Sequence, residues 1–165
     1  GKEFKEDIEV GIMIEIPSTL MMADVLARKV DFFSIGTNDL IQYLVAADRN
    51  NEQIADIHSP YHPAVLRFIK EIVDICHERG IWVGMCGEAA GDELLLPFLV
   101  GVGLDELSMS AVSILRIKHL LSYCSLKEAR NLVTEILSLE TMNEVRELLE
   151  EYHSKFSINL EDYAQ

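Results

Sequence analysis

The sequence predicts an α/β fold in which four parallel strands alternate with helices and further helices follow. Short apolar runs alternate with amphipathic stretches, and each run ends at a glycine or a polar residue. The runs are apolar on both faces, which is typical of a sheet covered by helices. This alternation requires parallel strands with right-handed crossovers, and four such units make half of a (β/α)₈ barrel. The predicted strands are 10–14, 31–36, 81–85 and 105–109.

Capping residues predict where the helices begin and end. Ser18 is a good N-cap for a first helix, and a short helix is expected over 40–46. Pro63 suits the first position of a longer helix that Gly80 would terminate. Asp92 is expected to cap a helix through residue 100, and another helix covers 113–122. Two capping boxes predict the last helices, Ser125 with Glu128 and Thr141 with Glu144.

Composition limits the function classes. The chain has 165 residues, of which 49% are hydrophobic, enough for one domain with a core. We expect a half barrel over 1–124 and a helical segment over 125–165 on the same domain. The net charge of −14 argues against binding to nucleic acid or anionic membrane. No apolar stretch is long enough to span a bilayer, and three widely spaced cysteines favour a reducing, cytoplasmic location.

Chemically useful side chains follow three of the predicted strands. Glu15 ends the first, Asn38 and Asp39 follow the second, and Cys86 ends the third. Because ligands of α/β proteins bind at the carboxyl ends of parallel strands, we expect these groups to converge.

Two carboxylates without a neighbouring histidine suit a hard cation such as Mg²⁺ or Mn²⁺. Glu15 and Asp39 are therefore candidate metal ligands, although each acid could instead cap a helix or pair with a cation. Asn38, Thr37 and the backbone N–H groups after Gly36 suit phosphate or carboxylate oxygens. The same residues also fit an ordinary turn between a strand and a helix.

Arg49 and Cys86 each allow two interpretations. The guanidinium of Arg49 could clamp an anion or remain a surface charge. The thiol of Cys86 could be a small core group or a proton donor, because an ordinary thiol pKa of about 8.5 leaves thiols mostly protonated at pH 7. The paired methionines Met21 and Met22 are expected in the core. We interpret all five histidines as structural or surface residues: His58, His62, His77, His119 and His153.

Four long motifs carry a resemblance to a known family. They are GIMIEIPSTLMMADVLARKVDFFSIGTNDLIQYLVAADRNN, SPYHPAVL, WVGMCGEAAGD and GLDELSMS. Together they resemble the C-terminal, phosphoenolpyruvate-binding domain of enzyme I of the bacterial sugar phosphotransferase system. Phosphoenolpyruvate synthase and pyruvate, phosphate dikinase share that fold and the metal acids, but their cysteine loops differ from the one present here.

The resemblance implies a fold and a site. The chain would be the second half of a (β/α)₈ barrel, with Glu15 and Asp39 as Mg²⁺ ligands. Asn38, Asp39 and Arg49 match positions that contact phosphoenolpyruvate, and Cys86 matches the proton donor. In the family the phosphoryl group passes to a histidine on an N-terminal domain and then to a phosphocarrier protein, as the first step of sugar uptake. The remaining enolate is protonated to pyruvate.

The phosphohistidine domain and the first barrel half are not among these residues. We therefore expect negligible phosphotransfer and weak phosphoenolpyruvate binding by this chain alone. A half barrel leaves open sheet edges at 10–14 and 105–109, so self-association, as a homodimer, is also expected. Two alternatives are a domain of the synthase or dikinase type and a non-catalytic dimerisation module.

Overall fold

The four predicted strands form one parallel sheet in the order in which they occur along the chain. This architecture is seen in a computed structural model that describes residues 5–54 and 56–155. Neighbouring strands are thus consecutive in sequence, as the repeated strand–helix pattern requires. The strands are β1 (Gly11–Ile14), β2 (Phe32–Gly36), β3 (Trp82–Cys86) and β4 (Glu106–Leu107).

Seven α-helices lie within the described residues, and two short 3₁₀ helices accompany them. The 3₁₀ helices are Pro17–Met22 and Glu88–Gly91. The α-helices are α1 (Ala23–Leu26), α2 (Thr37–Leu44), α3 (Pro63–Arg79), α4 (Leu96–Val102), α5 (Ala111–Leu121), α6 (Leu126–Ile136) and α7 (Met142–Ser154).

Several predicted helix boundaries are confirmed. Pro63 is the first residue of α3, and Gly80 ends that helix in the left-handed conformation with φ 75°. The Thr141 hydroxyl accepts from Glu144 N, and the Glu144 carboxylate accepts from Thr141 N, which completes the predicted capping box. Ser125 caps α6 by accepting a hydrogen bond from the backbone N–H of Glu128, but the reciprocal bond from Ser125 N to the Glu128 carboxylate is not formed, so only half of that predicted capping box is confirmed.

Other boundary predictions are wrong. Ser18 is not an N-cap, because Ile16 takes that position and Pro17 begins a 3₁₀ helix. The second helix starts at Thr37 rather than at residue 40, since the chain turns into it directly from β2. The Asp92 carboxylate caps the turn before α4, where it accepts a hydrogen bond from Leu95 N at 3.0 Å. The fourth strand has only two residues.

The two faces of the sheet differ in environment. Helices cover one face, on which Ile12 and Leu107 are partly buried. The other side chains of this face are fully buried, namely those of Ile14, Phe33, Ile35, Val83 and Met85. The opposite face, called the open face here, carries Gly11, Met13, Phe32, Ser34, Gly36, Trp82, Gly84 and Cys86. On it the rings of Phe32 and Trp82 stack 4.1 Å apart, and Met13 is 46% exposed. The expectation of two helix-covered faces is therefore wrong for the described chain.

The C-terminal helices share the main core. Helix α6 packs on α4, and apolar residues of α6 and α7 join the cluster beneath the sheet. A polar bridge adds to this packing. The Tyr61 hydroxyl donates to Asp92 Oδ2 at 2.6 Å, and the Arg146 guanidinium of α7 lies 4.4 Å from the centre of the Tyr61 ring. Burial and the Asp92 bond raise the pKa of Tyr61 well above its ordinary value, so the hydroxyl remains a donor.

Two further expectations concern the surface and the chain end. Met21 and Met22 are 76% and 50% exposed, so their assignment to the core is wrong. Within the described residues, no helix combines the length and apolarity needed to cross a membrane. The end of the predicted helical segment 125–165 lies outside the described residues, which end at Lys155.

His153 of α7 predicts a pH dependence of stability. The ring is 7% exposed and its Nε2 lies 3.2 Å from Leu94 O, so Nε2 must carry the proton of a neutral ring. Burial lowers the pKa of His153 below its ordinary 6.5, although hydrogen bonding to Leu94 partly opposes the shift. The unfolded chain therefore binds this proton at a higher pH than the folded chain does. The resulting stability is present above about pH 6.5 and is lost as the pH falls through the folded pKa.

We expect His153→Gln, which keeps a donor toward Leu94 O, to reduce the loss of unfolding free energy between about pH 7 and pH 5. Urea denaturation across that range measures the slope for both chains. Equal slopes would contradict the assignment.

Candidate active site

The structure places Glu15, Asp39 and Cys86 at the same end of the sheet, where the carboxyl ends of the strands lie. Glu15 directly follows β1, Asp39 is in the first turn of α2 after β2, and Cys86 is the last residue of β3. In the parallel register Gly36 pairs with Cys86, which brings the ends of β2 and β3 side by side. Residues far apart in sequence thus meet at the carboxyl ends of adjacent strands, where α/β proteins bind ligands.

The absence of a side chain at Gly36 creates room above the end of β2. A Cβ atom there would lie 3.0 Å from both Glu15 Oε2 and Met13 Sδ. The Glu15 carboxylate can therefore lean across β2 toward the residues that follow Gly36. It is half-buried, and within the part of the chain that the structure describes it forms no hydrogen bond or ion pair.

The Asn38 side chain is oriented by a backbone contact. Its Oδ1 accepts a hydrogen bond from Glu88 N at 3.2 Å, so the amide oxygen faces the loop after β3. The Nδ2 group then remains available to donate to an anionic oxygen. The backbone of the same residue is also held, because His58 Nε2 lies 3.2 Å from Asn38 O and must donate to that carbonyl.

Thr37 and Gly87 fix the end of β3. The fully buried Thr37 hydroxyl donates to Cys86 O at 2.9 Å. Gly87 has φ 97° and ψ −173°, a conformation that favours glycine, and a Cβ there would lie 2.5 Å from Thr37 Oγ1. The chain can therefore turn sharply after Cys86 while the loop stays in contact with α2.

Cys86 is the only cysteine of the three that lines the cleft at this edge. The cleft has a volume of about 430 Å³, and Asn38, Cys86 and Glu88 contribute to its lining. Ser108, Ser110 and Ser113 line the same cleft. The remaining thiols are less available for chemistry. Burial raises the pKa of Cys76 to about 12, and burial also raises the pKa of Cys124.

Arg49 lies beside Asp39. Its Nη1 is 3.9 Å from Asp39 Oδ1, and the two side chains are 46% and 43% exposed. A pair this long and exposed contributes little to stability, so neither side chain is committed to the other. Asp39 therefore does pair weakly with a cation, which was the alternative to a role as metal ligand. Both side chains nevertheless stay accessible to a ligand.

Glu15 and Asp39 offer oxygen ligands only, and no group of three potential metal-ligating side chains occurs among residues 5–54 and 56–155. Mg²⁺ commonly takes one or two carboxylates and completes its octahedron with water and substrate oxygens. The unpaired Glu15 carboxylate and the accessible Asp39 carboxylate fit that requirement.

Most histidines have structural roles, as interpreted from the sequence. His62 Nδ1 accepts from Ala64 N and caps α3, and His77 lies 3.1 Å from Asp105. His119 packs edge-on against the Tyr123 ring. His58 differs, because it contacts the backbone of a candidate site residue.

Sequence reasoning missed Met13, Gly87 and the three serines that line the cleft. Met13 could have been found, because it precedes Glu15 by two residues in a strand and so shares its side of the sheet. The serines carried no such signal, since only the fold brings them into the same cleft as Asn38.

Gly87→Ala is expected to destabilise the chain by at least about 2 kcal/mol, from backbone strain and from the contact with Thr37. Gly80→Ala is the matched control, because φ is 75° there and a Cβ would meet no atom within 4 Å. Strain alone should make that control cost about 1–2 kcal/mol. Urea denaturation compares the two variants, and equal losses would contradict the larger cost expected at Gly87.

Comparison with known proteins shows the family of the chain. Residues 1–126 match the family model of the PEP-utilising enzyme, PEP-binding domain. Proteins named phosphoenolpyruvate-protein phosphotransferase are similar over most of the chain. The Staphylococcus carnosus protein is 51% identical over 92% of this chain, and the Bacillus subtilis protein is 54% identical over 88%.

The chain spans only about a quarter of the length of these relatives, 26% and 25% respectively. A protein of the same name from Latilactobacillus sakei shows 50% identity with the same partial coverage. Because that family model matches most of its length, the chain belongs to the family of the PEP-utilising enzyme, PEP-binding domain.

Proposed function

We propose that this chain is the phosphoenolpyruvate-binding part of a phosphoenolpyruvate–protein phosphotransferase of the enzyme I type. The names of its relatives and the matched family model support the proposal. Because the chain spans about a quarter of those relatives, the complete reaction belongs to a longer polypeptide. The acceptor histidine, its N-terminal domain and the phosphocarrier protein are expected partners of that polypeptide.

The observation that carries this proposal is the convergence of three groups at the carboxyl ends of the strands: the Asp39 carboxylate, the oriented Asn38 amide and the Cys86 thiol. Glu88 N holds Asn38 Oδ1, so Asn38 Nδ2 can donate to an oxygen of the substrate phosphate or carboxylate. Arg49 is close enough to Asp39 to supply positive charge to the same anion. This local charge matters because the chain has a net charge of −14 and would otherwise repel the substrate.

The thiol of Cys86 supplies the last step. Once the P–O bond of phosphoenolpyruvate breaks and the phosphoryl group leaves for the acceptor histidine, an enolate remains. The Cys86 S–H bond then breaks as a C–H bond forms at the methylene carbon, which gives pyruvate and a thiolate. Solvent protons restore the thiol. The open cleft beside Cys86 gives both the substrate and water access to the sulfur.

Glu15 and Asp39 would hold Mg²⁺ in this scheme. The bound ion would neutralise negative charge on the phosphoryl group and on the enolate oxygen. The chain contributes two carboxylates from adjacent strand ends, one half-buried and unpaired and the other accessible.

Cys86→Ala in the full-length protein should abolish exchange of solvent deuterium into the methyl group of pyruvate. We expect a loss of at least about 100-fold, the usual scale for removing a general acid. Phosphoenolpyruvate binding should persist, because Asn38, Asp39 and Arg49 are untouched. Mass spectrometry of pyruvate and calorimetry measure the two quantities.

Cys124→Ala is the matched control for this experiment. Its thiol lies 4.0 Å from the Tyr152 hydroxyl, away from the cleft, and exchange should be unchanged. Full exchange in Cys86→Ala would rule out the proton-donor role. If the full-length protein without any substitution does not bind phosphoenolpyruvate, the alternative of a non-catalytic module is favoured instead.

The fold is proposed to be the second half of a (β/α)₈ barrel, with the described helices of residues 125–155 packed on the same domain. Support comes from the consecutive order of the four parallel strands and from the exposed open face. A location in the reducing cytoplasm is proposed as well, supported by the three free cysteines.

The 165-residue chain alone should bind phosphoenolpyruvate only weakly in the presence of Mg²⁺, because the residues of the other barrel half are missing. Titration calorimetry is the measurement, and a micromolar dissociation constant would contradict the expectation.

The exposed sheet edges and apolar side chains such as Val10, Val112 and Leu115 also support self-association as a homodimer. Light scattering should show a mass above that of one chain as concentration rises. A monomer at every concentration would refute it.

A further inference from the structure

We propose that Met13 is a positioning residue for the Cys86 thiol. The inference rests on the proposed function, since it assigns Met13 a role in presenting the proton that Cys86 delivers. Met13 Sδ lies 3.6 Å from Cys86 Sγ, close enough for a thiol–thioether hydrogen bond. Only the thiol can donate in this pair, because a thioether has no proton and is a weak acceptor.

The sheet geometry brings these two sulfur atoms together across an intervening strand. Met13 and Cys86 both lie on the open face, and β2 separates their strands. Met13 pairs with Ser34 of β2, and Gly36, two residues further along β2, pairs with Cys86. A Cβ atom at Gly36 would approach Met13 Sδ to 3.0 Å. A glycine at this position therefore lets the methionine side chain extend over β2 as far as the thiol.

The chemistry of the acceptor suits a proton donor. A carboxylate next to the thiol would compete strongly for the hydrogen, whereas a thioether fixes its direction with a weak bond. The Glu15 carboxylate lies near the same Gly36 position as Met13 Sδ, yet the sulfur is the atom that contacts the thiol. Met13 thus holds the S–H bond in a defined direction without removing its proton.

A purely packing role for Met13 makes a different prediction. Leucine is apolar and close to methionine in volume, so Met13→Leu would be neutral in every measurement if the side chain only filled space. A positioning role requires a hydrogen-bond acceptor for the thiol, which leucine lacks.

The S–H stretching band of Cys86 provides a direct test. An infrared difference spectrum between the 165-residue chain and its Cys86→Ala variant isolates this band from those of the other two cysteines. In Met13→Leu the band should move to higher frequency, because the hydrogen bond is lost. In Met13→Gln, whose amide oxygen is a stronger acceptor, it should move to lower frequency.

The same substitution is then examined for activity in the full-length protein. Met13→Leu should lower the rate of solvent-deuterium exchange into pyruvate by about 3- to 10-fold, the loss expected from one weak hydrogen bond. The KM for phosphoenolpyruvate should not change. Met21→Leu is the matched control, because Met21 is 76% exposed on the first 3₁₀ helix, and both readouts should stay at their original values.

The outcomes separate this inference from the proposed function. If Cys86→Ala abolishes exchange but Met13→Leu leaves either the S–H band or the exchange rate unchanged, the role of Met13 is refuted and the proposed function stands. If Cys86→Ala retains full exchange, the proton-donor function itself fails.

Discussion

The parallel pairing of β2 with β3 is the constraint on which the candidate site depends. It sets Gly36 beside Cys86, so the residues that follow each strand emerge at one edge. Hydrogen bonds across this edge then fix the loops: Thr37 donates to Cys86 O, and Glu88 N donates to Asn38 Oδ1. The amide of Asn38 and the backbone of Cys86 are therefore held by hydrogen bonds to groups on the neighbouring element.

Two glycines, which have no side chain, shape the site as much as its functional side chains do. Gly36 leaves space that Met13 and Glu15 both use, and Gly87 allows a backbone conformation that brings the next loop against α2. The charged side chains of the site also remain accessible. In a chain with a net charge of −14, Arg49 lies next to an acid that it only weakly engages, so its positive charge remains usable by an incoming anion.

Much of the fold was predictable from local sequence. The four strands, the start of α3 at Pro63, its end at Gly80 and the capping box of α7 follow from patterns that involve only neighbouring residues. Ser18 failed as a cap because Pro17, with its fixed φ, already starts the helical turn one residue earlier. Met21 failed as a core residue because a 3₁₀ helix replaces the expected α-helix and changes which side chains face inward.

The site was predictable in part. Strand ends indicate where Glu15, Asp39 and Cys86 meet, because parallel strands share their direction. The direction of the Asn38 amide and the contact between Met13 and Cys86 depend on partners tens of residues away, which local periodicity does not encode.

The bridge from Arg146 through Tyr61 to Asp92 ties α7 to the segment that leaves the cleft. Asp92 immediately follows the 3₁₀ helix Glu88–Gly91, whose first residue holds the Asn38 amide. The C-terminal helices therefore support the loop that orients the Asn38 amide. A shortened chain ending before α6 would expose the apolar surface of α4 on which α6 packs. It would also remove Arg146 from the Tyr61 ring, and with it the contact between α7 and the segment at Asp92.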